Sequence, residues 1–268
     1  MISKPDELFK STASYYARYR PGYPAELFAF LRDWFVLDGS QRVLDLGCGT
    51  GQLAIPLSTM AAEVLAVDPE PEMLAEGAKL AAEQGARNIR WIRASSYDLA
   101  ALDLGPGTLN LVTMGQSFHW MNRDQTLADL DPLVAPAGAI VLVGGGKPVV
   151  RPTWADAIDA AIERWLGPQR RAGSGTYQHP TERHPEILAR SPFSHVERHL
   201  FGWRLERTLD ELVGLQYSHS YAAPALLGDH KAAFDADLRH ALAQVNPSGV
   251  FAEDVQAEVF IATHPSRR

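Results

Sequence analysis

Cysteine is nearly absent. Cys48 is the single one in 268 residues, which excludes an intramolecular disulfide. Long apolar runs are missing too: no stretch approaches the roughly 20 residues a membrane-spanning helix requires. The first ten residues are too polar for a signal peptide. Basic side chains are outnumbered, 25 Lys and Arg against 32 Asp and Glu, for a net charge of −7. Phosphate binding ordinarily leaves a basic face, so nucleic acid is set aside as a partner. These shortages together point to a cytoplasmic protein that acts on a small molecule, with homo-oligomerisation left open. Apolar residues, by contrast, make up 46% of the chain, ample for a sizeable core. The length suits one α/β domain carrying an insertion.

The most informative stretch is Val43-Leu44-Asp45-Leu46-Gly47-Cys48-Gly49-Thr50-Gly51. An apolar run ending in alternating glycines, followed by the helical pattern of residues 52–60, reads as a buried parallel strand turning into a helix. Ligands bind at that carboxyl edge of an open α/β sheet. A nicotinamide or flavin loop would read G-x-G-x-x-G. Here the third glycine comes one residue early, Gln52 takes its place, and Asp45 stands two residues before Gly47. Asp68 closes the next strand, residues 63–67, about twenty residues beyond the first glycine, where an acid binds a ribose diol. Pro69 to Met73 opens the following helix, with Met73 on the adenine face or simply in the core.

The pattern D-x-G-x-G-x-G resembles that of class I S-adenosylmethionine (SAM) methyltransferases. The resemblance implies SAM as cofactor, bound by Asp45, Gly47, Gly49, Gly51, Asp68, Pro69 and Met73. Asp45 would help neutralise the α-ammonium through water, and backbone N–H groups suit the carboxylate. Tyr16-Ala17-Arg18-Tyr19-Arg20-Pro21 resembles the Y-x-x-x-R-P segment of small-molecule methyltransferases similar to trans-aconitate methyltransferase. It implies an N-terminal lid in which Tyr16 or Arg20 reaches the methionine carboxylate while Tyr15 and Tyr19 face the acceptor. A segment that merely packs its rings and leaves its arginines in water is the alternative. Ser95 stands where this group commonly has an acid for the adenine amino group, and Ser96 offers a backbone N–H to the ring. Gln116, after the fourth strand, is expected at the methionine half. Phe118-His119-Trp120 is similar to the F-H-W segment of the same group, which makes His119 a candidate general base beside Trp120 on the acceptor. A packing histidine is the alternative there. Tyr217 is a further candidate for the acceptor wall.

The fold implied is Rossmann-like and doubly wound: a seven-stranded, mostly parallel sheet with an antiparallel last strand, an N-terminal lid, and an insertion after the fifth strand. Strands are expected at 63–67, 88–93, 109–114, 139–143, 195–207 and 255–263, and helices at 25–37, 52–60, 125–133, 154–166 (capped by Thr153), 209–217 and 232–245. Residues 167–192, rich in Gly, Pro, His and Arg, read as a long loop. One domain is expected, divided into lid (1–24), SAM-binding core (25–145), acceptor cap (146–230) and C-terminal helix and strand (231–268). Gly144-Gly145-Gly146-Lys147-Pro148 lacks the G-K-[ST] ending of a phosphate loop. Histidines 179, 184, 195 and 199 lack the cysteines or acids that would complete a metal site. Methyl transfer to a small carboxylate, phenol, amine or carbon acceptor, in a setting such as secondary metabolism, follows from the resemblance. A SAM-binding protein with another chemistry and a dinucleotide-dependent oxidoreductase are the competing readings.

Overall fold

The computed structural model describes residues 11–169, 171–172, 175–176 and 181–265. The first ten residues of the expected lid segment and His179 lie outside the described residues. The chain divides into two compact units. One comprises Gly22–Gly146, Pro180–Phe201 and Ala257–Arg268, and the other Met1–Pro21, Lys147–His179 and Gly202–Gln256.

In chain order the helices are α1 (Ala13–Tyr19), α2 (Ala25–Phe35), α3 (Ala54–Ser58), α4 (Pro71–Glu83), α5 (Arg123–Leu130), α6 (Ala155–Leu166), α7 (His184–Ala189), α8 (Leu209–Tyr217), α9 (Pro224–Leu227) and α10 (Lys231–Val245). The strands are β1 (Arg42–Leu46), β2 (Glu63–Asp68), β3 (Ile89–Arg93), β4 (Leu109–Gly115), β5 (Val134–Val143), β6 (Lys147–Pro148), β7 (Arg171–Ala172), β8 (Gly175–Thr176), β9 (His195–Thr208) and β10 (Val250–Thr263).

The first unit is built on a sheet in the order β3-β2-β1-β4-β5-β10. Neighbours from β3 to β5 are parallel, and β10 joins β5 antiparallel with Val259 opposite Val143. β9 and the two-residue β6 also pair with β10, bringing this sheet to eight strands, one more than the seven expected. The ion pairs Arg198–Glu258, Arg204–Asp254 and Arg207–Glu253 step down β10 as they step up β9, the signature of an antiparallel ladder. Because strand side chains alternate between faces, Leu44, Leu46, Leu65 and Val67 enter one apolar layer and Val43, Val64 and Ala66 the other. Burial on both faces explains why β1, after its half-buried first residue Arg42, is apolar except at Asp45.

The second unit gathers α1, α6, α8, α9 and α10 around Trp154, Ile162, Val213, Phe234, Leu238 and Phe251. α1 and α8 pack through Tyr19, whose ring fills the space above Gly214: a β-carbon there would lie 2.5 Å from Cε2.

The structure departs from sequence expectation in local detail. The helix expected over residues 52–60 contracts to α3, because Gly51 to Leu53 remain in turns and Pro56 lacks an N–H to extend the ladder. Thr153 does not cap α6; Trp154 holds that position without a side-chain bond. The expected loop over 167–192 contains α7, whose Ile187 and Leu188 are fully buried.

Candidate functional site

β1 delivers the chain into a turn whose glycines 47, 49 and 51 all adopt left-handed φ, at +72°, +55° and +87°. Side chains rarely adopt that conformation. Space is also short: a β-carbon on residue 47 would sit 2.4 Å from Ser117 Cβ. The Ser117 hydroxyl donates to Leu46 O at 2.7 Å, so the end of β4 is latched to the end of β1. The amides of Gly47 and Cys48 donate to Val67 O, and that of Gly49 donates to Asp68 Oδ2 at 2.9 Å. The turn is thereby tied to the carboxyl end of β2.

Asp45 is 1% exposed. Its Oδ1 accepts from the Thr113 hydroxyl at 2.9 Å and its Oδ2 from the Ala54 N–H at 3.1 Å, joining β1 to β4 and to the first turn of α3. Burial pushes its pKa up to about 7; these two hydrogen bonds oppose the shift, and the nearby charge of Asp68 adds to it. Asp68 is half-buried. Burial likewise raises it to about 6, against hydrogen bonds from the Glu70 and Gly49 amides. Each Asp68 oxygen accepts one backbone bond, at 2.9 Å, and a carboxylate oxygen has a second lone pair to offer. Cys48, buried beside both acids, has its thiol pKa raised well above the ordinary value by burial first and by their charges second. It stays a protonated thiol, with little nucleophilic character.

Around this turn stand other predicted residues. Pro69 follows Asp68, and Met73 is 2% exposed on α4. Ser95 caps a 3-10 turn, Ser96–Ala101: its oxygen accepts from Tyr97 N, and its hydroxyl donates to Asp98 Oδ2 at 2.7 Å. Ser96 is buried. Gln116, just past β4, has φ +55°, unusual for a residue with a side chain. Its N–H is bound to Val143 O, and its amide lies over Gly145, where a β-carbon would come within 3.0 Å of Cδ. His119 and Trp120 occupy the 3-10 turn Phe118–Trp120, ring centroids 4.7 Å apart.

The remaining candidates belong to the other unit. Tyr15, Tyr16 and Tyr19 lie on α1, with Arg20 as its C-cap. The Arg20 guanidinium stands over the Tyr16 ring at 5.1 Å and donates from Nη2 to Ser218 O. Its Nε is buried and has no acceptor among the described residues. Tyr217 is 2% exposed, packs 5.1 Å from the Tyr15 ring, and gives its hydroxyl to Asp235 at 2.8 Å.

Sequence reasoning did not single out Thr113, Ser117, Asp98 or Trp91, all of which hold parts of this site. Only Asp98 had a local signal, the S-x-x-D capping pattern from Ser95. The others act through contacts far apart in sequence. Among the described residues no group of three or more His, Cys, Asp or Glu could hold a metal, and no helix is long and apolar enough to cross a membrane.

Comparison with known proteins adds a second line. Residues 43–138 match a family described as a methyltransferase domain. An uncharacterised methyltransferase of Mycobacterium tuberculosis (strain ATCC 25618 / H37Rv) is 29% identical over 220 residues, 80% of this chain and 76% of that protein. A solved structure assigned as a type II methyltransferase from Anaeromyxobacter dehalogenans has a TM-score of 0.62 at 22% identity, covering 92% of this chain and 98% of that one. Phosphoethanolamine N-methyltransferase 2 of Haemonchus contortus, in complex with phosphomonomethylethanolamine and S-adenosylhomocysteine, has a TM-score of 0.53 at 16% identity. It covers 96% of this chain and 56% of that one. At such identities the structures show the fold alone. With the domain match over the glycine turn, and the sheet that carries it, the chain is a class I SAM-dependent methyltransferase whose cofactor is SAM.

Proposed function

We propose that this methyltransferase passes the SAM methyl to a small organic acceptor and that Asp68 anchors the cofactor through its ribose diol. The observation that carries this is the Asp68 carboxylate, fixed by the Gly49 and Glu70 amides beside the glycine turn with lone pairs to spare. SAM supplies an already activated methyl group, so the protein's part is chiefly proximity and orientation. Gly47, Gly49 and Gly51 admit the ligand close to backbone. Asp45, behind them, adds a carboxylate to the field around the cofactor's ammonium. Pro69 and Met73, with Ser95 and Ser96, border the adenine. Gln116 borders the methionine half.

The resemblance offers Tyr16 or Arg20 for the methionine carboxylate, and the spare Nε–H of Arg20 favours the arginine. Tyr15, Tyr19, Trp120 and Tyr217 are the acceptor-side proposals. Tyr217 contributes through its ring, since its hydroxyl is committed to Asp235. We assign His119 to the acceptor as general base for a phenol or ammonium, or as a positioning group for a carboxylate. We also propose that the N-terminal lid expected over residues 1–24 closes when cofactor binds. The Haemonchus relative's small phosphorylated amine supports a small acceptor in general, not that acceptor in particular.

Calorimetry with S-adenosylhomocysteine (SAH) separates the roles. Hydrogen bonds to a charged group contribute roughly 1.5–3 kcal/mol, so Asp68→Ala should weaken SAH by at least about tenfold. His119→Ala should leave SAH affinity within about twofold while lowering turnover or raising the acceptor KM. Unchanged affinity in folded Asp68→Ala removes the ribose assignment. Wild-type kcat and KM in His119→Ala return that histidine to a packing role.

A further inference from the structure

One side chain outside the cofactor's own neighbourhood touches two glycines at once. Trp91 lies on β3, opposite Ala66 of β2. The far edge of its indole reaches both the last glycine of the cofactor turn and the middle of α4. A β-carbon on Gly51 would lie 2.8 Å from Trp91 Cη2, and one on Gly77 would lie 2.6 Å from both Cη2 and Cζ3. At Gly77 the same β-carbon would also stand 3.2 Å from the carbonyl carbon of Thr50. Glycine inside a helix is ordinarily a cost. Gly77 is buried within α4, with nothing local to call for it, and the indole and the Thr50 backbone account for it. Gly51 has its own backbone reason for being glycine, φ +87°, yet it too has no room for a side chain against this ring.

From this arrangement we propose that Trp91 is a positioning residue for SAM: a rigid spacer wedged between Gly51 and Gly77 that sets how far the glycine turn stands from α4. The proposal rests on the reading that the turn holds the cofactor. Thr50 and Gly51 follow Gly49, whose amide is bound to Asp68, so a shift of the turn changes the relation between its amides and the ribose anchor. Protein interiors are close-packed, and a sub-ångström change at such a joint is passed on to whatever rests against it. A misplacement of that size behind a binding loop weakens binding without removing any contact to the ligand.

The test is a double-mutant cycle read by SAH calorimetry and by the melting temperature of the ligand-free protein. Trp91→Phe removes the ring edge that meets both glycines, and Gly77→Ala pushes against that edge from the other side. Each single variant should weaken SAH by about tenfold. The double variant should recover affinity to within about threefold of wild type, because the shorter ring leaves room for the new methyl. Such coupling is expected only between residues in contact. Singles that melt lower yet bind SAH within twofold of wild type would make the joint purely structural and overturn the proposal, as would strictly additive losses. Should Trp91→Phe fail to fold, Gly77→Ala alone still decides: unchanged affinity overturns the proposal. If wild-type protein itself fails to bind SAH, the cofactor reading of the turn is what falls, and Trp91 loses its role with it.

Discussion

Two carboxylates with raised pKa values stand near the carboxyl ends of the neighbouring strands β1 and β2, and they differ in what they have left to give. Asp45 is sealed between Thr113 and the Ala54 amide, whereas Asp68, half-buried, keeps outward capacity. Asp45 therefore links folding to pH in a specific direction. Its folded value of about 7 lies above the roughly 3.9 of an unfolded aspartate, so between those values the folded chain binds more protons than the unfolded one. Its contribution to stability is fully present below the unfolded value and is lost as pH rises through about 7. Asparagine keeps an acceptor for Ala54 and a partner for Thr113 without titrating. Melting of the ligand-free protein from pH 5 to pH 8 should thus show a smaller loss of stability for Asp45→Asn than for wild type, with Asp68 supplying the remaining slope. Parallel profiles would mean that Asp45 is not the titrating group.

At the scale of elements, Gly214 on α8 is the position at which α1 is held, since a β-carbon there would lie 2.5 Å from Cε2 and 2.6 Å from Cδ2 and Cζ of Tyr19. Gly214→Ala should dislodge the ring and speed tryptic cleavage after Arg18, Arg20 being shielded by the following Pro21. Unchanged cleavage would mean that Tyr19 sidesteps while α1 stays docked. The same assay reads the proposed lid, because SAH should slow wild-type cleavage if the segment closes on the cofactor. Elements with a strong period were legible from sequence alone: β2 and α8 lie within a residue of expectation, and the glycine turn sits where the motif placed it. α7 was missed because six residues give too little periodicity, although Pro185 in the first turn and Glu186 three residues after Arg183 were a usable start signal. The partners of Asp45 and the Gly51–Trp91–Gly77 joint were illegible for another reason. They are meetings of residues brought together by strand order, and no local pattern in one sequence encodes them.

For the whole molecule the question is how the two compact units, each with its own apolar core, respond to a ligand whose proposed ribose anchor, Asp68, belongs to the first. A ligand that binds the folded state alone stabilises it by about 2.7 kcal/mol at a free concentration one hundred times Kd. In a chain of this size each kcal/mol raises the melting temperature by roughly 2–4 °C, so saturating SAH should raise it by about 5–10 °C. NAD(H) at equal concentration should leave it unmoved, since the glycine spacing is not that of a dinucleotide turn; a shift with NAD(H) and none with SAH would overturn the cofactor assignment. The shape of the melt carries further information. If the units unfold together, one transition moves as a whole. If they unfold apart, the transition that moves belongs to the sheet unit, and hydrogen exchange should then slow across β1, β2 and the glycine turn while α10 exchanges as before. Protection gained equally in α10 would show that cofactor binding is coupled to both units, and that the second responds to the same ligand.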